Sequence, residues 1–458
     1  MPHIRNQIAG KAVASGGYGC VFLPPIKSDA HQATIDGQPY VTKLMTKKHA
    51  AAEMAEIDEF LPTIKTIKNY RKHFIMEGVF VADSFGPLTT KDKVGFERKC
   101  RNIKGITIDN INSKLSTVSA LYIPYGGISI QQIVSRLGRE HATSHHEFGL
   151  IVSGLIKTFT SAIIPMNKKG IIHSDIKGAN LLVDEEFYNS PSKTPDIKLI
   201  DWGLASKILK GAAIDVHMPL QYNAPFSIIL LDMNVAQLID EWSTTRIINN
   251  ELNMVDCKSI AVKLIYMNQQ DGVGHSDYIL TIFNRLVVSP WSVKFAPAKG
   301  SMFELDADNI DKGILKFSYI VDYIADILNN FVVVKKTATG NIYFFDTKGY
   351  FYNVYRYNCD VWGFLSIFVD YVIDMGSKRE YLNSKIAQKI TSILFKYCYS
   401  TKYASIKIPV KELIKDLNEL VDISVSGKSD YQPSLPSTRG RWSIGYSINK
   451  KTRKRHRK

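Results

Sequence analysis

His173-Ser174-Asp175-Ile176-Lys177-Gly178-Ala179-Asn180, followed downstream by Asp201-Trp202-Gly203, puts an acid, an amine and an amide in one short loop and a second acid beyond it. An aspartate with a lysine two residues on and an asparagine five residues on can aim a hydroxyl, neutralise a transferred phosphoryl group and hold a divalent ion. Asp175 is the expected acid/base that accepts the hydroxyl proton, with Lys177 stabilising the moving group and Asn180 serving as a metal ligand. Asp201 supplies a second ligand, because hard carboxylate oxygens suit magnesium. His173 is expected to pack and hydrogen-bond the loop, not to transfer protons.

Ala14-Ser15-Gly16-Gly17-Tyr18-Gly19-Cys20-Val21 fits a glycine-rich phosphate loop of the G-x-G-x-x-G-x-V type, with Ala14 in the first glycine position. Glycines let backbone N–H groups approach phosphate oxygens, and the hairpin folds over a nucleotide as a lid. Taken alone this signal is weak, since glycine-rich turns are common. Tyr40-Val41-Thr42-Lys43 adds a strand lysine whose ammonium can reach the α and β phosphates if an acid from the next helix holds it. That helix offers Glu53, Glu56 and Glu59; Glu56 is favoured because Ile57 beside it and Phe60 one turn on would pack inward. The other acids read as a solvated helix face.

The elements that must position these groups follow from periodicity. Ala12 to Phe22 and Tyr40 to Met45 alternate around a glycine turn and predict strands, with Pro24 to Gln38 a long loop between them. Lys48 to Ile67 has helical spacing, and Pro62 is expected to bend or end it. Phe74 to Ala82 and Ala120 to Ile123 read as strands. Glu147 to Lys169 reads as a helix kinked at Pro165 that delivers the chain into the His173 loop, and Ile197 to Ile200 is a short strand leading into Asp201. Ser227 to Gly349 mixes helical stretches with strands at Phe331 to Lys335 and Asn341 to Asp346, as an embedded subdomain would. Tyr352 to Met375 is apolar and aromatic, while Glu380 to Tyr399 and Val410 to Val421 look helical. Ser424 to Gly440 reads as a linker.

Composition sets the bounds. With 458 residues, 45% hydrophobic and 22% charged, the chain can bury a substantial core. It shows no run of eighteen apolar residues and no signal-type stretch near Met1, so a soluble intracellular protein is expected. Five cysteines, Cys20, Cys100, Cys257, Cys359 and Cys398, lie far apart without paired spacing, which argues against disulfides and zinc and predicts buried or idle thiols. Much of the formal net charge of +15 sits in the tail Lys450 to Lys458, and without those seven Lys and Arg about +8 remains. Such a tail suits nucleic acid, an anionic surface or nuclear import, or is a solvated charge run.

Taken together, residues 10 to 226 resemble the eukaryotic-type protein kinase family. The resemblance resumes at Asn358-Cys359-Asp360-Val361-Trp362-Gly363, similar to a DxWxxG helix start with Leu365 in the last glycine's place. It implies an α+β, bilobal fold: a small β-rich N-lobe (1–124), a larger mostly helical C-lobe in two parts (125–226 and 352–423) split by a long insertion (227–351), and a linker and tail (424–458). It implies ATP with Mg2+, or Mn2+, in the cleft, protein substrates, and adenine binding at Tyr125-Gly126-Gly127. Lys43, Glu56 and the run Ala14, Ser15, Gly16, Gly17, Tyr18, Gly19 and Val21 would hold the nucleotide.

Several residues depart from the family pattern. Ser174 replaces the arginine that reads an activation-segment phosphate, and only Ser206 and Tyr222 carry hydroxyls between Gly203 and Ala224, so phosphorylation control is not expected; Asp215 would serve as a fixed charge. Trp202 replaces a phenylalanine, Phe226 replaces a glutamate and so removes an ion pair, and Pro219 stands where a threonine supports serine/threonine selection. The run Pro219 to Ser227, the insertion and Gly274-His275 within it resemble kinases encoded by large nucleocytoplasmic DNA viruses. That likeness implies serine/threonine specificity, viral or host protein substrates, and a location in the host-cell cytoplasm or virion. A small-molecule kinase of the aminoglycoside or choline type and a pseudokinase scaffold are the alternatives.

Overall fold

Gly16 and Gly17 form the tip of a hairpin in the computed structural model of the chain, and the first sheet grows outward from it. The structure describes residues 10–28, 34–35, 38–82, 84–141, 143–208, 214, 216, 218–232, 235, 239, 252–272, 274–287, 318–338, 340–375 and 384–426, which fall within one compact unit, residues 1–427. Asp215, the tail and nearly all of the Ser/Pro/Gly-rich linker therefore lie outside the described residues.

Strands β1 (Lys11–Ser15) and β2 (Gly19–Leu23) are antiparallel, and β2 pairs with β4 (Gln38–Thr46), onto which a short β3 (Thr34–Ile35) folds. A strand β5 (Phe80–Ala82) and β6 (Val118–Pro124) complete the order β1-β2-β4-β6-β5. Alternation along the strands divides the sheet into two buried faces. Tyr40 and Leu44 of β4, with Val118, Ala120 and Tyr122 of β6, pack against Phe85, Phe96, Ile103 and Ile111 from the segment that follows β5. Leu121 turns the other way, toward Ile57, Phe60 and Phe74. Lys43, one residue from both Thr42 and Leu44, shares that second face, where the helix Lys47–Ile64 lies. Pro62 is accommodated in the last turn of that helix, two residues before it ends.

The strand expected from Phe74 narrows to Phe80–Ala82, because the preceding residues are recruited by the cleft. His73 accepts from the Leu199 N–H at 2.7 Å and the Ile75 N–H donates to Leu199 at 3.1 Å, after which Gly78 turns the chain with φ +76°. Beyond β7 (Ile128–Ser129) come β8 (Ile171–Ile172), β9 (Leu181–Val183), β10 (Ile197–Leu199) and β11 (Ser206–Lys207), which form the small sheets β7-β9-β10 and β8-β11 that carry the loops of the site.

The rest is helical. His145–Thr158 runs through a π-helical turn, Phe159–Ile163, into Ile164–Lys168, so Pro165 is absorbed where the backbone ladder is already re-registered. By length and composition this 24-residue helix is the one described helix able to cross a bilayer. Here Phe148, Ile151, Val152, Leu155, Phe159 and Ile163 are fully buried in the core. Helix Arg356–Asp374 runs through the centre, buried continuously from Asn358 to Val372. The segment read as an embedded subdomain supplies helices Met254–Asp271, Ser276–Val287 and Ser318–Phe331, whose Ile260, Leu264, Phe283, Tyr323 and Ile324 join the same core, and the hairpin of β12 (Val332–Thr337) and β13 (Gly340–Phe345).

One expectation fails outright. Cys20 and Cys100 form a disulfide, with Cα atoms 4.9 Å apart. Their separation of 80 residues carries no paired spacing, but spacing along the chain says nothing about proximity once β2 packs against the turn that contains Cys100. Cys257, Cys359 and Cys398 are buried free thiols, as the sequence suggests.

Candidate active site

The loop after β8 is held from beneath by a residue whose role the sequence did not announce. Asp360, 1% exposed, accepts the N–H of His173 through Oδ2 and the N–H of Ser174 through Oδ1, both at 2.9 Å, and the Asn167 amide at 2.6 Å. Ser174 adopts left-handed φ (62°), so the backbone folds around that carboxylate. His173 is fully buried beside Trp202 and donates from Nε2 to the Ile200 carbonyl at 3.2 Å. Burial lowers its pKa and keeps the imidazole neutral, consistent with packing and hydrogen bonding.

Asp175 is surrounded by donors. Lys177 Nζ lies 2.9 and 2.8 Å from its two oxygens, Asn180 Nδ2 donates to Oδ2 and to the backbone carbonyl at 2.9 Å, and Asn223 Nδ2 donates to Oδ1 at 2.9 Å. Asn223 was assigned no part in the site from sequence, although an amide set between Tyr222 and Ala224-Pro225 is a signal for a buried polar role. It is 3% exposed, and the Trp362 indole N–H fixes its segment by donating to the Tyr222 carbonyl at 3.1 Å.

Across the cleft, Lys43 Nζ contacts Glu53 at 2.7 Å and Asp201 at 3.0 Å. The helix acid paired with Lys43 is therefore Glu53, and the assignment to Glu56 is corrected. Glu53, Ile57 and Phe60 stand at i, i+4 and i+7 and form one buried stripe, whereas Glu56 is rotated about 100° from Ile57 and off it. Burial opposes the Lys43 charge, but the Asp201 and Glu53 carboxylates outweigh it and raise its pKa above the ordinary value. Burial would raise Asp201, yet Lys43 wins and holds its carboxyl below the usual range. Asp201 has φ +68°, a left-handed turn that swings its side chain back to Lys43.

These oxygens fit a divalent cation. Asn180 commits its amide nitrogen to Asp175, so Oδ1 accepts nothing among the described residues, and Asp201 accepts only through Oδ1. The Ile200 N–H donates to the Asn180 carbonyl at 3.0 Å and ties the segments that carry Asn180 and Asp201 together. Among the described residues no group of three or more His, Cys, Asp or Glu is placed to hold a metal ion, so a divalent ion here would need oxygens from outside the protein to complete its shell.

The glycine hairpin lies over Lys43, where a Cβ on Gly16 would stand 3.6 Å from its Cε. Ala14 and Ser15 end β1, Gly16, Gly17 and Tyr18 make the turn, and Gly19 and Val21 lie on β2, with Val21 opposite Lys43. Gly19 must be glycine, since a Cβ there would come 2.3 Å from the Leu44 carbonyl oxygen. Tyr18 is exposed and stacks on His49, with ring centroids 4.4 Å apart. At the other wall Tyr125-Gly126-Gly127 leaves β6, and Gly127, at φ +100°, would carry a Cβ 2.0 Å from the Val183 carbonyl oxygen.

The departures are packed, not vacant. Trp202 is 1% exposed between Phe60, Phe74 and His173. Phe226 sits in an aromatic nest of Phe283, Tyr323, Trp362 and Tyr399, where the expected ion pair would otherwise lie.

A family model described as the protein kinase domain matches residues 119–261. It takes in Asp175, Lys177, Asn180, Asp201 and Asn223, while the lid, Lys43, Glu53 and Asp360 lie outside it and rest on geometry. No curated protein matches. The match and the two-part architecture, a β-sheet N-terminal region and a helical C-terminal region, support a phosphotransferase of the protein kinase kind.

Proposed function

We propose that this protein is an ATP-dependent protein kinase that transfers the γ-phosphoryl group to serine or threonine hydroxyls. The observation that carries this reading is the facing of two built sites. Asp175 is held by Lys177, Asn180 and Asn223, and Asp201 is held by Lys43, which Glu53 holds in turn.

Lys43 would bind the α and β phosphates beneath the Gly16–Gly19 turn, and its two carboxylates keep the ammonium charged and aimed. Asp175 would accept the proton of the attacking hydroxyl as the new oxygen–phosphorus bond forms and the bond to the departing diphosphate breaks. Lys177, bonded to both Asp175 oxygens, lies where charge on the transferring group can be neutralised. Asn180 and Asp201 would hold magnesium or manganese, which supplies charge neutralisation at the phosphates. Serine/threonine preference, a viral origin and a host-cell cytoplasmic or virion location rest on the resemblance of the run Pro219 to Ser227, the long insertion and Gly274-His275 within it to kinases of large nucleocytoplasmic DNA viruses.

Magnesium-dependent ATP turnover and autophosphorylation by the purified chain test the reading. Asp175→Asn is expected to lower the rate on the order of 10² to 10⁴, and Lys43→Met to weaken ATP use. Equal signals from wild type and Asp175→Asn would favour a scaffold. Transfer to amino-sugars or choline, but not to generic proteins, would favour a small-molecule kinase.

A further inference from the structure

The segment after β5 does more than cover one face of the sheet. Its turn and short helix, Val94 to Asn102, lie along the lid hairpin and touch both arms. On the first arm the Ala12 N–H donates to the Val94 carbonyl at 3.2 Å, and Ser15 Oγ donates to the Lys99 carbonyl at 2.8 Å. At the tip Asn102 Nδ2 donates to the Gly16 carbonyl at 2.7 Å. On the second arm Cys20, the residue after Gly19, is bonded to Cys100. Gly95, at φ +77°, allows this approach, because a Cβ there would stand 2.9 Å from the Ala12 carbonyl oxygen.

A glycine turn that must admit phosphates by backbone contact has many conformations to lose. The ties to Ser15, Gly16 and Cys20 remove that freedom from outside the cleft, leaving the cleft side of the turn over Lys43: a Cβ on Gly16 would stand 3.6 Å from Lys43 Cε. We propose that residues 94–102 are an external clamp that positions the nucleotide lid, with Asn102 as its hydrogen-bonding tooth and Cys20–Cys100 as its covalent tie. The clamp sets how well the preformed turn receives the triphosphate. It acts through Gly16 and Cys20, so Asn102 and Cys100 are positioning residues. This inference rests on the kinase reading of the same site.

The covalent tie can be opened by thiol–disulfide exchange, and because Cys20 and Cys100 are buried its opening is checked by counting free thiols before the assay. A dithiol such as dithiothreitol attacks the Cys20–Cys100 bond, two protein thiols form, and the dithiol is oxidised to its cyclic disulfide. The full chain is assayed for phosphoryl transfer with ATP varied, as wild type with and without dithiothreitol and as Asn102→Asp, Asn102→Gln and Cys100→Ser. Asn102→Asp keeps the size but loses the donor and sets a carboxylate against the Gly16 carbonyl.

The expected result is an ATP KM raised about threefold to tenfold in Asn102→Asp, in Cys100→Ser and in reduced wild type. The KM for protein substrate and the melting temperature of Asn102→Asp should stay unchanged, and Asn102→Gln should restore most of the loss. An unchanged ATP KM in both Asn102→Asp and reduced wild type overturns the clamp. A rise that tracks a fall in melting temperature also overturns it, since that marks a structural role alone. Wild type without Asp175-dependent turnover instead sinks the kinase reading, which separates the two failures.

Discussion

At the scale of single residues, the decision between Glu53 and Glu56 shows how a site is made from side-chain direction. Both acids lie on one helix within a turn of each other, yet only Glu53 shares the stripe of Ile57 and Phe60 that turns toward β4. A charged hydrogen bond to a buried ammonium contributes about 1.5–3 kcal/mol. Glu53→Gln is therefore expected to lower kcat/KM for ATP by roughly tenfold to a hundredfold, and Glu56→Gln by less than about threefold. Steady-state kinetics on the two variants checks this, and the reverse ranking would return the ammonium's partner to Glu56. The carboxylate, ammonium and amide of the HxDxKxxN loop were legible because their spacing is local. Asn223 was not, since its bond to Asp175 joins residues 48 apart.

Among elements, the replacement of an expected ion pair by Phe226 is resolved by packing. The ring is fully buried, 4.9 Å from Trp362 and 5.7 Å from Tyr323 between ring centroids, and helices from within and after the long insertion close over it. Aromatic contacts of this kind contribute about 0.5–1.5 kcal/mol each beyond the area they bury. Introducing the glutamate of the resembled pattern should therefore damage the protein. Phe226→Glu buries a carboxylate among rings and is expected to cost several kcal/mol, read as a lower denaturant midpoint, with Phe226→Leu much milder. A glutamate variant as stable as wild type would mean that a cation reaches this position after all. The helix at His145–Lys168 was similarly readable by period, but its π turn follows from accommodating Pro165 against a packed neighbour, which no window of sequence reports.

For the whole molecule, the buried histidines make stability depend on pH in one direction. His141 is 4% exposed, its Nδ1 lies 2.6 Å from the Tyr371 hydroxyl, and burial, with His145 adding a smaller effect, lowers its pKa from 6.5 to about 4. A depressed base binds its proton more readily in the unfolded chain, so the stabilisation is whole above pH 6.5 and is lost as pH falls toward 4. His73 and His173 shift the same way for the same reason. Between pH 7 and pH 5, His141 alone is expected to account for about 1–2 kcal/mol, seen as a falling melting temperature at constant ionic strength. His141→Phe should flatten that slope, and an equally steep slope in the variant would remove His141 as its source.

Local spacing by itself picked out the strands and helices around the site, the candidate acid/base loop Asp175 to Asn180, the strand lysine and the glycine turn, because each of these needs only neighbours within one turn or one strand, whereas the α+β architecture and the pairing of Asn180 with Asp201 came with the family resemblance. Tertiary structure alone decided which helix acid meets Lys43, that Asp360 holds the loop from 187 residues away, that Asn223 closes on Asp175 and that Cys20 finds Cys100. Those are contacts between distant segments. They are set by how strands and helices bury their faces against one another, and a one-dimensional pattern does not encode that distance.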